Sequence, residues 1–214
     1  MRRDSPEDSP PSKSPTSLVR SPFHVKGQMY LGAIEYYEAA VPGGMAAVLD
    51  SIKDGDLYAF LSQRFLAASW YNVMPVAPLA SAAARVRGVS VAQILEERGR
   101  WQVQRDLLGV HRALLTNSTP EEVVKRMPRA GTQYFDFGEI RMEVVRPGVC
   151  EGVRTDLPAS IRAWYVHGTA AYIKAALEAA GAREPEVRFR AGEVTGEREG
   201  FVMLNIPFDI TWKG

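Results

Sequence analysis

The segment FVMLNIPFDITWK (201–213) places Val202, Leu204, Ile206, Phe208, Ile210 and Trp212 at every second position. Six matches in a row define a strand with one apolar face, because side chains alternate across a pleated backbone. Such a face must be covered by another layer. The best cover lies just upstream, in LPASIRAWYVHGTAAYIKAALEAAG (157–181). There Leu157, Ile161, Trp164, Gly168, Ala171, Ala175 and Ala179 follow one side of a helix, and Gly181 is a ready C-cap. The small residues of that side permit close approach to a sheet. Pro207 predicts an edge or a bulge, since it cannot donate to a strand ladder. Before the helix, EIRMEVVRPG (139–148) alternates Ile140, Met142 and Val144 against polar neighbours; Pro147-Gly148 turns the chain, and VCEGVRTD returns. With two strands at the end, residues 131–214 read as ββαββ.

Residues 23–130 read as mostly helical. FHVKGQMYLGAIEYYEAA opens extended and becomes helical by about Gly32, until VPGG (41–44) breaks it. GMAAVLDSIKDG (44–55) is a short helix. DLYAFLSQRFLAASWY (56–71) has apolar residues at a helical period through Trp70, and Pro75 and Pro78 end or restart that helix. Ser90 with Gln93 forms a capping-box signal for a helix running to about Leu115. STPEEVVKRMP carries a second start signal at Ser118 or Thr119, with Pro120, Glu121 and Glu122 behind it. The fold class is therefore α+β: a helical lobe (23–130), then a sheet–helix lobe (131–214), forming a single domain over 23–214.

Residues 1–22 are Ser, Pro and charged groups with few aliphatics, and cannot offset their chain entropy by burial; they read as a disordered tail. Ser5, Ser9, Ser14 and Ser21 each precede a proline and are phosphorylation candidates, against the plainer reading of a solvated tail. The net charge of +1 gives no field to attract nucleic acid or an anionic membrane. Cys150, the single cysteine, cannot form an internal disulfide, and the N-terminus has no apolar signal core; both favour the cytoplasm.

The search for chemistry excludes more than it finds. His24, His111 and His167 share no metal-binding spacing, and no nucleophile elbow, P-loop or dinucleotide fingerprint is present. The expectation is a protein that is not an enzyme. AGEVTGEREGF (191–201) is a hairpin turn or, alternatively, a phosphate cradle. RGRWQVQR (98–105) is a surface helix with a buried Trp101 or, with its interleaved arginines, a nucleic-acid surface. Trp70 and Tyr71 belong to the core or line an apolar pocket. His111 in LLGVHRALL shares a helix side with Leu107, Leu108, Leu114 and Leu115, so it is a core histidine or an axial ligand to haem.

Two resemblances follow. From VKG (25–27) to DITW (209–212), the chain resembles a paralogous family of unknown function expanded in myxobacteria. ASWYNVMP, LLGVHRALL, STPEEVVKRMP, YFDFG and AALEAAGA…FDITW carry that resemblance. It implies a cytosolic bacterial protein with a sensory or regulatory role. The order of elements is also similar to haem nitric-oxide/oxygen-binding (H-NOX) domains, which have a helical lobe, a proximal His, a Pro, and a Tyr-x-Ser-x-Arg strand that grips the haem carboxylates. That resemblance implies His111 at the proximal position, Pro128 after it, and MEVVR (142–146) at the strand motif, where Met142 and Val144 replace Tyr and Ser and Arg146 matches.

The expected function is thus a non-enzymatic cytosolic sensor or regulatory domain without a cofactor, binding a small apolar ligand or a protein partner. Its expected ligand-binding residues are Trp70, Tyr71, His111 and Arg146. The alternative is a haem-binding gas sensor using His111. A homodimer through the edge of the C-terminal sheet, guarded by Pro207, is a further expectation.

Overall fold

The computed structural model describes residues 20–108 and 118–214. Strand β1 (His24–Lys26) leads directly into helix α1 (Gly27–Ala40), followed by α2 (Gly44–Asp50) and α3 (Gly55–Leu61). Helix α3 is capped by Asp54, whose Oδ1 accepts from the Leu57 N–H at 2.9 Å. The helix predicted over 56–71 stops at Leu61, and Trp70–Asn72 is instead strand β2, antiparallel to β1 with Val25 opposite Tyr71. The reason is tertiary. Helix α1 has no side-chain cap, so its first N–H groups need other acceptors. Gly27 donates to the Ser69 carbonyl at 2.8 Å and Gln28 to that of Ala67 at 3.1 Å. The loop after α3 is thus the N-terminal cap of α1. Phe65, in that loop, stacks on Tyr30 at 4.5 Å.

Pro75 and Pro78 start helix α4 (Val76–Arg87), which ends at Gly88 in the left-handed region. Ser90 caps α5 (Val91–Leu108) by accepting from the Gln93 N–H at 3.1 Å; Gln93 does not return the bond but donates to Glu97. The full capping box forms at α6 (Pro120–Tyr134), between Thr119 and Glu122, and α6 continues through Pro128.

Strands β3 (Ile140–Arg146) and β4 (Val149–Pro158) form the predicted hairpin. Strand β4 extends to Pro158, so the long helix starts later than its apolar pattern suggests: a 3-10 turn at Ala159–Ile161, then α7 (Arg162–Ala179). Three strands follow rather than two: β5 (Arg183–Phe189), β6 (Glu193–Arg198) and β7 (Phe201–Lys213). The glycine-rich 191–201 segment therefore holds a strand as well as a turn. All six residues of β6 are exposed, so it has no apolar alternation to betray it.

The sheet is antiparallel with order β3-β4-β7-β5, and β6 also pairs with β7. Pro207 lies on an interior strand, not an edge. Its carbonyl accepts from the Arg190 N–H, so its missing donor faces the gap where β5 ends and β6 begins. Leu204, Ile206, Phe208, Ile210 and Trp212 are buried, while Val202 is turned outward, beyond a register shift opposite Val194 and Gly196. Ile173, Ala176 and Leu177 of α7 join Phe208 and Ile210 in one core cluster, so α7 covers the sheet. On its other side α7 meets α5 at Gly99, where a Cβ would come within 2.7 Å of the Ala171 Cβ and 2.9 Å of the Gly168 carbonyl. The small residues of α7 serve this helix crossing.

Candidate functional site

Beside that crossing, a partly open cavity of about 160 Å³ lies between the layers. Its apolar lining comes from Met29 of α1, Met127 of α6, Phe135 just after α6, Ile140 and Met142 of β3, Trp164, Tyr165 and Ile173 of α7, and Phe189 and Phe208 of the sheet. Gly99, Gly131 and Gly168 open room among them.

One wall is polar. Arg98, Gln102 and Asp106 are spaced by four on α5 and therefore share a face. Gln102 donates to Asp106 Oδ1 at 2.8 Å, and the Tyr172 hydroxyl of α7 donates to Asp106 Oδ2 at 3.0 Å. Asp106 is 6% exposed and its carboxylate is answered from both sides. Burial, and then the neighbouring Asp106 carboxylate, hold the Tyr172 phenol far above its ordinary value. The same causes push Tyr134 up to about 12. Both phenols stay protonated donors at neutral pH.

Arg98 is different. It is 7% exposed, and its Nη2 donates to the Met29 carbonyl at 3.2 Å. Its Nε has no hydrogen-bond partner. Burial lowers its pKa from the ordinary arginine value, yet a guanidinium remains charged at neutral pH. Sequence reasoning treated 98–105 as a surface helix and missed it. The available signal was phase: Ile94, Leu95, Arg98 and Gln102 continue one helical stripe, and Ile94 and Leu95 are fully buried.

Of the residues expected to bind a ligand, Trp70, Tyr71 and Arg146 lie outside the lining of this pocket. Trp70 is 43% exposed on β2, with the Lys26 ammonium 3.8 Å above its ring. Tyr71 packs on Phe65 at 4.8 Å, and its hydroxyl accepts from the Leu66 N–H at 2.9 Å, which ties the α1-capping loop. Neither lines the cavity. Arg146 is exposed at the far end of β3, whereas Met142 of the same strand is in the wall. His111 lies outside the described residues, as do Ser5, Ser9 and Ser14. Ser21 is described and docked: its Oγ accepts from the Phe23 N–H at 3.3 Å and lies 3.1 Å from Asn72 Oδ1. His24 faces outward and pairs with Asp136 at 2.6 Å. Among the described residues no group of three or more His, Cys, Asp or Glu could hold a metal ion, and no helix is long and apolar enough to cross a membrane.

Fold and cavity together define a class: an α+β domain with a chamber between a helical layer and a helix-covered sheet. Solved H-NOX domains are similar to this fold. A Cs H-NOX variant carrying 4-cyano-L-phenylalanine matches with TM-score 0.64 and 15% identity, over 88% of this chain and 97% of that one. An oxygen-binding H-NOX domain related to soluble guanylate cyclases matches at TM-score 0.62 and 16% identity, over 88% and 95%. A structure described as probing heme distortion in the H-NOX family matches at 0.63 and 16%, over the same shares. At such identity the likeness is one of fold. The sequence matches no family model and no curated protein.

A haem needs an axial donor to iron and cations for its two carboxylates. The described wall offers one cation, Arg98, no histidine, and a buried carboxylate, Asp106. Met142 and half-buried Val144 supply no polar group where the resemblance implies Tyr and Ser. The described residues alone do not fit a haem.

Proposed function

We propose that this chain is a sensor domain on the H-NOX fold that binds a small, largely apolar molecule between its helical layer and its sheet. The observation that carries the reading is the cavity itself, mostly apolar with a few convergent polar groups, the usual constitution of a ligand site. A ligand there touches α1, α5, α6, α7 and β3 together, so occupancy couples the helical layer to the sheet. A second reading, a haem gas sensor with His111 as axial ligand, is supported by the fold neighbours, one of which is described by its heme.

One pair of measurements separates the two. Visible spectra are recorded for wild-type and His111→Ala protein after haem loading. A Soret band present in wild type and lost in the variant establishes the haem reading. With no band in either, the small-molecule reading is tested by thermal unfolding with benzyl alcohol and hexanol. These should raise the Tm of wild type but not of Met142→Trp, which fills the cavity. Equal responses in both proteins would sink it.

A further inference from the structure

We propose that the molecule this cavity selects is a monocarboxylate with an apolar body, its carboxylate meeting Arg98 and its body lying against Met29, Phe135, Met142 and Trp164. The inference rests on the cavity being a ligand site, as proposed above, and names the chemistry of the ligand.

Buried charges in folded proteins are nearly always paired, because an unpaired one loses its hydration without compensation. Arg98 is more than nine-tenths buried, lines the cavity, and leaves Nε without a partner. It forms no ion pair among the described residues; the charged-form partners near it are only the Tyr37 and Tyr36 phenols. Those phenols are held above their ordinary value by burial, so they are neutral at pH 7. Nη2 donates to the Met29 carbonyl at 3.2 Å and meets the Met29 thioether sulfur, a weak acceptor, at 3.3 Å; neither partner carries charge.

The other buried arginine shows what a purely structural solution looks like. The Arg154 guanidinium is surrounded by the rings of Phe135, Phe137 and Tyr165 at 5.2–5.4 Å and donates to the Phe137 carbonyl at 2.8 Å. Arg154 Nε lacks a partner as well, so the difference lies in the surroundings: three aromatic faces cover the Arg154 guanidinium, whereas Arg98 lines the pocket. An arginine fork matches a carboxylate in geometry as well as in charge.

Asp106 sets the polarity of the site. It lies eight residues along α5 from Arg98, about 12 Å by helical rise. Its carboxylate is already satisfied by Gln102 and Tyr172, so it has no use for a ligand donor and repels a second carboxylate. The site therefore takes an anion at one end and an uncharged body beyond it. The volume is comparable to the roughly 150 Å³ that accommodates a benzene ring.

The test uses benzoate, benzyl alcohol and benzylamine, matched in shape and differing in charge. Thermal unfolding and calorimetric titration are run on the full chain, wild type and Arg98→Met. Benzoate should bind wild type best, benzylamine not at all, and Arg98→Met should lose roughly 10- to 100-fold of the benzoate affinity while binding benzyl alcohol unchanged. Without ligand, Arg98→Met should unfold at a higher temperature than wild type, because the substitution removes an unpaired buried charge. Phthalate, a dicarboxylate, should bind more weakly than benzoate. Equal binding of benzoate and benzyl alcohol, or benzoate binding retained in Arg98→Met, would overturn the carboxylate inference and leave the ligand-site reading standing. Absence of binding by every probe would overturn both.

Discussion

At Gly138 the backbone turns from the end of α6 into β3 with φ +59, in the left-handed region. A side chain there is strained in two ways. The backbone conformation disfavours it, and its Cβ would collide with the Thr155 carbonyl oxygen and sit 2.7 Å from Arg154 Nη1. Gly138 thus lets the chain pass tightly over the guanidinium that Phe135, Phe137 and Tyr165 enclose. Gly138→Ala should cost about 2–4 kcal/mol, read as a lower denaturant midpoint with an unchanged m-value. A loss below about 0.5 kcal/mol would show that the turn relaxes freely. Single residues were also where the sequence was hardest to read. Trp70 and Tyr71 stand side by side, and their apolar density signals burial. In a strand, neighbours point to opposite faces, so one packs inward on Phe65 and the other lies under Lys26. Arg98 shows the converse error: a charged letter at an apolar phase reads as surface unless the phase is given priority.

Elements whose ends are determined locally were legible. Thr119 with Glu122, and Ser90, make caps where the sequence signals them; Asp54, inside the stretch read as one helix over 44–55, instead caps the next helix. Elements determined by distant chain were not. The loop after α3 is fixed by the free N–H groups of α1, some forty residues earlier in the chain, and β6 is held by backbone pairing to β7 with no buried side chain. The α5–α7 crossing is of the second kind. A glycine inside a helix lowers its propensity, yet Gly99 is the contact surface of α5. Gly99→Ala should improve local helix propensity by about 0.5–1 kcal/mol, yet destabilise the protein by roughly 1–3 kcal/mol, because its Cβ meets Ala171 and the Gly168 carbonyl. Adding Ala171→Gly should recover part of the loss through the Ala171 contact. If Gly99→Ala alone raises the melting temperature, the two helices are not in close contact at that point.

On the scale of the molecule, the α+β class and the order of helical lobe, hairpin, long helix and final strands were readable. The order of strands in the sheet was not, since pairing across β3-β4-β7-β5 has no signature in neighbouring residues. One polar cluster joins three helices of the N-terminal lobe. Glu97 of α5 accepts from Arg87 of α4 and from the Tyr36 hydroxyl of α1, and Gln93 donates to it as well. The Arg87 hydrogen bond, before the smaller contributions of Gln93 and Tyr36, holds the Glu97 carboxyl below its ordinary value of 4.5. A carboxylate depressed in the folded state adds stability that is present above its unfolded pKa and lost as pH falls through its folded pKa. Glu97 and Arg87 are partly solvated, 35% and 25% exposed at the side chain, so the contribution at neutral pH is at most about 1 kcal/mol. Wild-type and Glu97→Gln proteins should therefore differ in melting temperature at pH 7 and converge as the pH is lowered from about 4.5 towards 3. A difference that persists undiminished at pH 3 would mean that Glu97 joins the helices by packing rather than by charge.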